Sequence, residues 1–377
     1  MIGFEFETAA LIDWTDGGLG DKQDAIFSHE AGKYFPFTWK VSSDTGKLEI
    51  VTEPFDDEAA DQDTELDRMA SVFLAISRLI DLLLAQDGAD TTLTPGNLGD
   101  IARLADPGRE GVVVTGPTLT TLTASPQATV GFTLDKIWAA ASSIVNTNLH
   151  IFEPVERTVR ERQSFGISLS GMNPMHGVRL REAALLARAE IRQIQEEIKT
   201  GGPPGLPPAD AYEGFLTIVI SYLLSGARQT DPWTYYKLIA PLMSRVSLHL
   251  MYQDADVLPY AERFFTAGRV LAAAGISDGG DDGVMLYRKG LTAGKVGPER
   301  TAWIGSIRGG EDMLAALDAH LDTGSMSALD DQDYRAANGK KLYQLELRRL
   351  PQIVGPQDWA SLAAVLYDIS RRWRAAT

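Results

Sequence analysis

The 377 residues include no cysteine, which excludes disulfides, thiolate metal sites and a cysteine nucleophile together. Long apolar runs are missing too. A bilayer-spanning helix needs about 18 apolar residues or more, and the most hydrophobic stretch, Phe215 to Leu224, is shorter and is broken by Ser221 and Tyr222. The opening MIGFEFET has no basic start and no apolar export segment. The expectation is a cytoplasmic protein with no membrane partner, released only by a non-classical route if it serves as an effector. Positive charge is scarce: 35 Lys and Arg stand against 51 Asp and Glu, a net −16. So acidic a chain repels phosphate backbones, and no basic stripe offsets this, so no nucleic-acid partner is expected. The phosphate-loop, dinucleotide-fold, zinc-protease and serine-hydrolase fingerprints are all absent.

Hydrophobic periodicity organises what is present. Residues 2–8 alternate, with Glu5 and Glu7 on one face and Phe4 and Phe6 on the other, which predicts a strand. A second strand is expected at 48–55, after the Asp44-Thr45-Gly46 turn. Helical spacing covers 62–86, a short helix is expected near 98–104, and a strand at 127–134 leads into a helix at 135–145. Further helices are expected at 177–199, 211–225, 232–250, 258–273 and 311–321, then a last strand at 341–350 and a helix from Gln357. Irregular alternation of this kind suggests α+β with an antiparallel sheet. The length exceeds the roughly 250–300 residues at which one core stops growing, which by itself favours two domains.

Three strands carry acids on one face. Glu5 and Glu7 lie two residues apart, about 7 Å along a strand; Glu49 and Glu53 bracket Val51; Gln344, Glu346 and Arg348 alternate with Leu345 and Leu347. Taken singly, each pattern is also what a solvent-facing strand edge or a cross-strand ion pair produces. Paired into one sheet, Glu5, Glu7, Glu49, Glu53 and Glu346 would concentrate negative charge that divalent cations must neutralise, and hard cations such as Mg²⁺ prefer such oxygens. One site built from both chain ends would also make residues 1–377 a single large domain, with the Gly/Pro-rich 201–208 as an internal loop.

These segments resemble the glutamine synthetase-like carboxylate–amine ligases, and most closely the glutamate–cysteine ligase and amidoligase branches. The resemblance runs through Gly3-x-Glu5-x-Glu7, Glu49 to Pro54, Pro126 to Gly131, Ala240 to Arg245, and Glu346-x-Arg348, in that order along the chain. Many relatives carry a metal-binding histidine on the third strand, where this chain has Gln127 and Thr129.

The resemblance implies a curved antiparallel sheet of the glutamine synthetase catalytic type, with helices on its outer face. It implies an ATP- and Mg²⁺- (or Mn²⁺-) dependent ligase that joins a small-molecule or protein carboxylate to an amine through an acyl phosphate. Glu5, Glu7, Glu49, Glu53 and Glu346 would hold metal. Gln127, Thr129 and Arg348 would contact the nucleotide, and Arg348, Arg308 and Arg245 would act at the phosphates, although Arg245 could instead close a structural ion pair. Specificity would come from loops at 9–45, 88–126 and 277–310. The alternatives on the same fold are a phosphotransferase or nucleotidyltransferase, such as a protein-modifying effector or toxin, or a non-catalytic binding module.

Overall fold

A computed structural model describes residues 1–20, 22–85, 88–146, 174–201, 205–227, 242–275, 314, 329, 331–347 and 354–375. They form a mixed α+β structure with antiparallel β-ladders, divided into two compact units. The first contains 1–129 and 354–371; the second contains 130–146, 174–347 and 372–375.

In the first unit the strands are β1 (Ile2–Trp14), β2 (Lys22–Ser28), β3 (Trp39–Asp44), β4 (Lys47–Thr52), β5 (Thr91–Leu93), β6 (Arg103–Leu104), β7 (Val112–Thr115) and the first part of β8 (Ala124–Phe132). Their order is β6-β2-β3-β4-β1-β8, with β7 also paired to β1 and β5 to β7. The β3–β4 hairpin turns at Thr45 and Gly46, both at positive φ (54° and 75°). Glycine adopts this conformation freely.

Alternation along β1 decides what each face of the sheet meets. Phe4 and Phe6 are buried against Phe73 of α1 (Gln62–Leu84), and Phe6 stacks on Trp359 at 4.5 Å between ring centroids. The first helix buries Met69, Val72, Phe73, Ile76, Leu79, Ile80 and Leu83, spaced by three and four residues as an amphipathic stripe requires. Asp61 caps its start, accepting from the Thr64 N–H at 3.1 Å.

The second unit holds the end of β8, β9 (Leu242–Ser244) and β10 (Tyr343–Leu347), together with α3 (Leu134–Asn146), α4 (Pro174–Gly201) and α5 (Asp210–Ala227), which pack on one another. Gly214 is required where α5 meets α3, because a Cβ there would fall 1.9 Å from the Leu134 carbonyl oxygen. Arg188 joins the same three helices. It donates to Glu213 at 2.7 and 3.0 Å and lies over the Trp138 ring.

Several expectations change. Residues 9–45 contain the end of β1 and the whole of β2 and β3 as well as loop, and 88–126 contain β5, β6, β7 and the start of β8. The helix expected at 98–104 is α2 (Pro95–Leu98), followed by strand β6. The helix expected at 258–273 is two, Leu258–Phe264 and Ala267–Ala273, separated where Thr266 caps the second. Within the helix expected at 232–250, residues 242–244 are a strand instead, because their backbone pairs with Leu345–Leu347. The stretch expected as a helix at 311–321 lies outside the described residues except for Leu314. Among the described residues, no helix is long and apolar enough to cross a membrane.

Candidate functional site

The face of the first unit's sheet opposite Phe4 and Phe6 is polar, and the ladder registers determine which residues share it. Glu7 pairs with Glu49 across β1–β4, and Glu49 pairs with Ser42 across β4–β3, giving one row of Glu7, Glu49 and Ser42. The adjacent row is Glu5, Val51 and Lys40. On β8, beside β1, the buried positions Ala128 and Val130 alternate with half-buried Gln127 and Thr129, so these two belong to the polar face. Glu5, Glu7, Glu49, Gln127 and Thr129 therefore converge on one side of three neighbouring strands, β4, β1 and β8.

Glu49 lies at the centre. The Ser42 hydroxyl donates to its Oε2 at 2.9 Å. Burial pushes its carboxyl up to about 7, with Glu5 the next largest contributor and Asp44 and Glu7 adding to the rise, while the Ser42 hydrogen bond opposes them. An acid whose neighbours are acids releases its proton reluctantly. Glu7 has a cation at a distance, Lys47 Nζ at 3.8 Å; both side chains are partly exposed, so the pair contributes little. The Gln127 side-chain oxygen is buried with no hydrogen-bond partner among the described residues.

Glu53 does not join this group. Strand β4 ends at Thr52, before Glu53, so strand alternation no longer directs its side chain. It is fully buried, ion-paired with Arg68 of α1, and accepts from the Tyr34 N–H at 3.0 Å. Arg68 also donates to Glu65 and to the Pro54 carbonyl at 2.9 Å. Glu53 and Arg68 thus serve as a structural clasp between the β2–β3 loop and α1. Gly32 in that loop is constrained by it, since a Cβ there would fall 2.3 Å from Glu53 Oε2.

In the second unit Glu346 is fully buried on β10, and Arg245, just after β9, donates to its Oε2 at 3.2 Å. Arg245 is thus in the structural ion pair considered from the sequence. Gln344 shares the face of Glu346. Arg308 and Arg348 lie outside the described residues.

Sequence reasoning passed over Ser42 and Lys40, because β3 was read as loop. The alternation Lys40-Val41-Ser42 was the available signal. The oxygen-rich polar face suits a hard cation, but among the described residues no group of three or more His, Asp or Glu forms a ready-made metal cage. Mg²⁺ does not need one: it typically takes one or two carboxylates, keeps several waters, and shares the phosphates of its substrate. The residues present fit that manner of binding. No protein-family model, curated protein or solved structure matches this chain.

Proposed function

We propose that the chain is an ATP-dependent carboxylate–amine ligase of the glutamine synthetase-like type, with Glu5, Glu7 and Glu49 as its cation-binding face. The observation that carries this reading is the Glu7–Glu49 cross-strand pair, with Glu5 beside it and Glu49 raised to about 7. A face of this kind is costly without a counter-ion and becomes useful with one. Bound Mg²⁺ would supply charge neutralisation for the triphosphate; the chain would contribute the carboxylates that hold it and the Gln127 and Thr129 side chains beside it.

In the proposed reaction a substrate carboxylate oxygen attacks the γ-phosphorus of ATP. A new O–P bond forms, the bond from the γ-phosphorus to the bridging oxygen breaks, and ADP leaves. The amine nitrogen then attacks the acyl carbon, loses a proton and expels inorganic phosphate, leaving an amide. Phosphoryl transfer of this type depends on positioning and electrostatics rather than on covalent chemistry by the protein.

The test is release of ADP and phosphate by the full chain with Mg²⁺ and ATP, over a panel of carboxylates, with hydroxylamine as acceptor. Hydroxamate that disappears in Glu49→Gln supports the reading. A stable phosphorylated or nucleotidylated product would move the chemistry to a transferase. Absence of nucleotide binding at millimolar ATP and Mg²⁺ would remove the reading.

A further inference from the structure

The outward face of α1 carries an apolar stripe that the core does not use. Leu66, Ala70 and Leu74 recur every four residues, so they stack along one side of the helix for about 12 Å. All three are exposed, Leu74 to 66% and Leu66 to 36%. They point away from the side that packs Met69, Val72, Phe73 and Ile76 into the first unit. Single exposed leucines need no explanation; the rim around this stripe gives it a direction. Asp63, Asp67 and Asp81 are exposed on the same side, and none has an ion-pair partner among the described residues. Asp81 stands in the last turn, where the helix dipole is negative and no basic residue offsets it. Arg78, the cation of that side, is already bonded to Asp100 at 2.9 Å.

We infer that this face docks a basic amphipathic helix of a partner protein. The partner lays its apolar side over Leu66, Ala70 and Leu74 and its Lys or Arg side chains on the three aspartates. Ala70 between the two leucines leaves room for helix axes to approach within the usual 8–10 Å or so. Charge selects the occupant. Nucleic acid and anionic lipid are repelled by the unpaired carboxylates, and a second copy would bring the same carboxylates with it. Because α1 covers the sheet face of Phe4 and Phe6, a helix docked on its outer side leaves the acidic row open. The surface does not depend on the ligase reading.

The probe is a labelled peptide of Leu and Lys, about 18 residues or five turns long, with its leucines on one helical face. A peptide of the same composition in scrambled order is the control for bulk charge. Fluorescence anisotropy against the full chain, at about 50 mM salt to limit screening, should show the helical peptide bound roughly tenfold more tightly than the scramble. Leu74→Gln, a substitution at an exposed position by another good helix former, removes most of that advantage. Leu185→Gln on α4, where the leucine is 56% exposed, leaves it intact. Asp63→Asn with Asp67→Asn weakens the helical peptide and flattens its salt dependence. Equal binding of the two peptides would overturn the inference, as would full binding to Leu74→Gln or equal loss in Leu185→Gln. A dimer of the chain in sedimentation that Leu74→Gln abolishes would also overturn it, assigning the face to a second copy. None of these readouts uses ATP, so failure of the ligase reading registers separately.

Discussion

Glu7 and Glu49 stand directly opposite each other in the β1–β4 ladder, a like-charge pair where cross-strand neighbours usually attract. Ser42 continues the row and bonds Glu49. The same two strands bury Phe4, Phe6 and Ile50 on their other face, so the register that builds the core also forces the acids together. One residue of slip would exchange the faces. The repulsion is therefore built into the fold.

The first prediction follows from that repulsion. The Glu49 carboxyl is raised from the usual carboxylate range to about 7, chiefly by burial and then by Glu5. The folded chain then binds more protons than the unfolded chain between about pH 4.5 and 7, so stability falls as pH rises through that window. The loss is at most about 3 kcal/mol. Thermal unfolding in chelator from pH 5 to 8 should show this decline in the wild type and a shallower one in Glu49→Gln. Millimolar Mg²⁺ at pH 8 should restore much of it in the wild type alone.

Glu53 and Arg68 give a contrasting outcome. Arg68→Met leaves the fully buried Glu53 without its ion-pair partner, and removing one member of a buried pair costs about 3–5 kcal/mol. Denaturant titration should find a loss of that order. Divalent-cation affinity should be unchanged in whatever fraction remains folded, because this carboxylate belongs to the clasp and not to the acidic row.

Gly214 tests the helical packing of the second unit. Gly214→Ala puts a methyl group 1.9 Å from the Leu134 carbonyl oxygen, a backbone atom that has no rotamer to escape into. Overpacking of this kind costs about 1–3 kcal/mol or more. Urea unfolding should show it, although alanine is intrinsically the better helix former.

Much of the first unit was legible from periodicity. The Phe4/Phe6 and Glu5/Glu7 faces, the long α1 stripe and the β4 alternation are written at periods of two and 3.6, because one face of each element is buried. Strand β3 was not legible: all but its last residue are buried, Lys40, Ser42 and Ser43 included, so polar residues sit where a hydrophobic pattern would have marked a strand. Strand β9 escaped because a three-residue segment carries no periodicity, and its state is set by pairing with a partner a hundred residues away. Glu53 shows the limit of counting by twos. Alternation assigned it to the acidic face, but the strand ends one residue earlier and Arg68, itself partly exposed, takes the buried carboxylate.

The central claim is that Glu5, Glu7 and Glu49 hold a divalent cation. Its most direct test is anomalous diffraction from crystals of the full chain grown with Mn²⁺ and a non-hydrolysable ATP analogue. The account predicts a manganese peak at coordination distance from carboxylate oxygens of this row, bridged to analogue phosphates, and no peak at Glu53. Manganese and nucleotide bound elsewhere, or a well-ordered acidic row with no cation at saturating Mn²⁺, would contradict it.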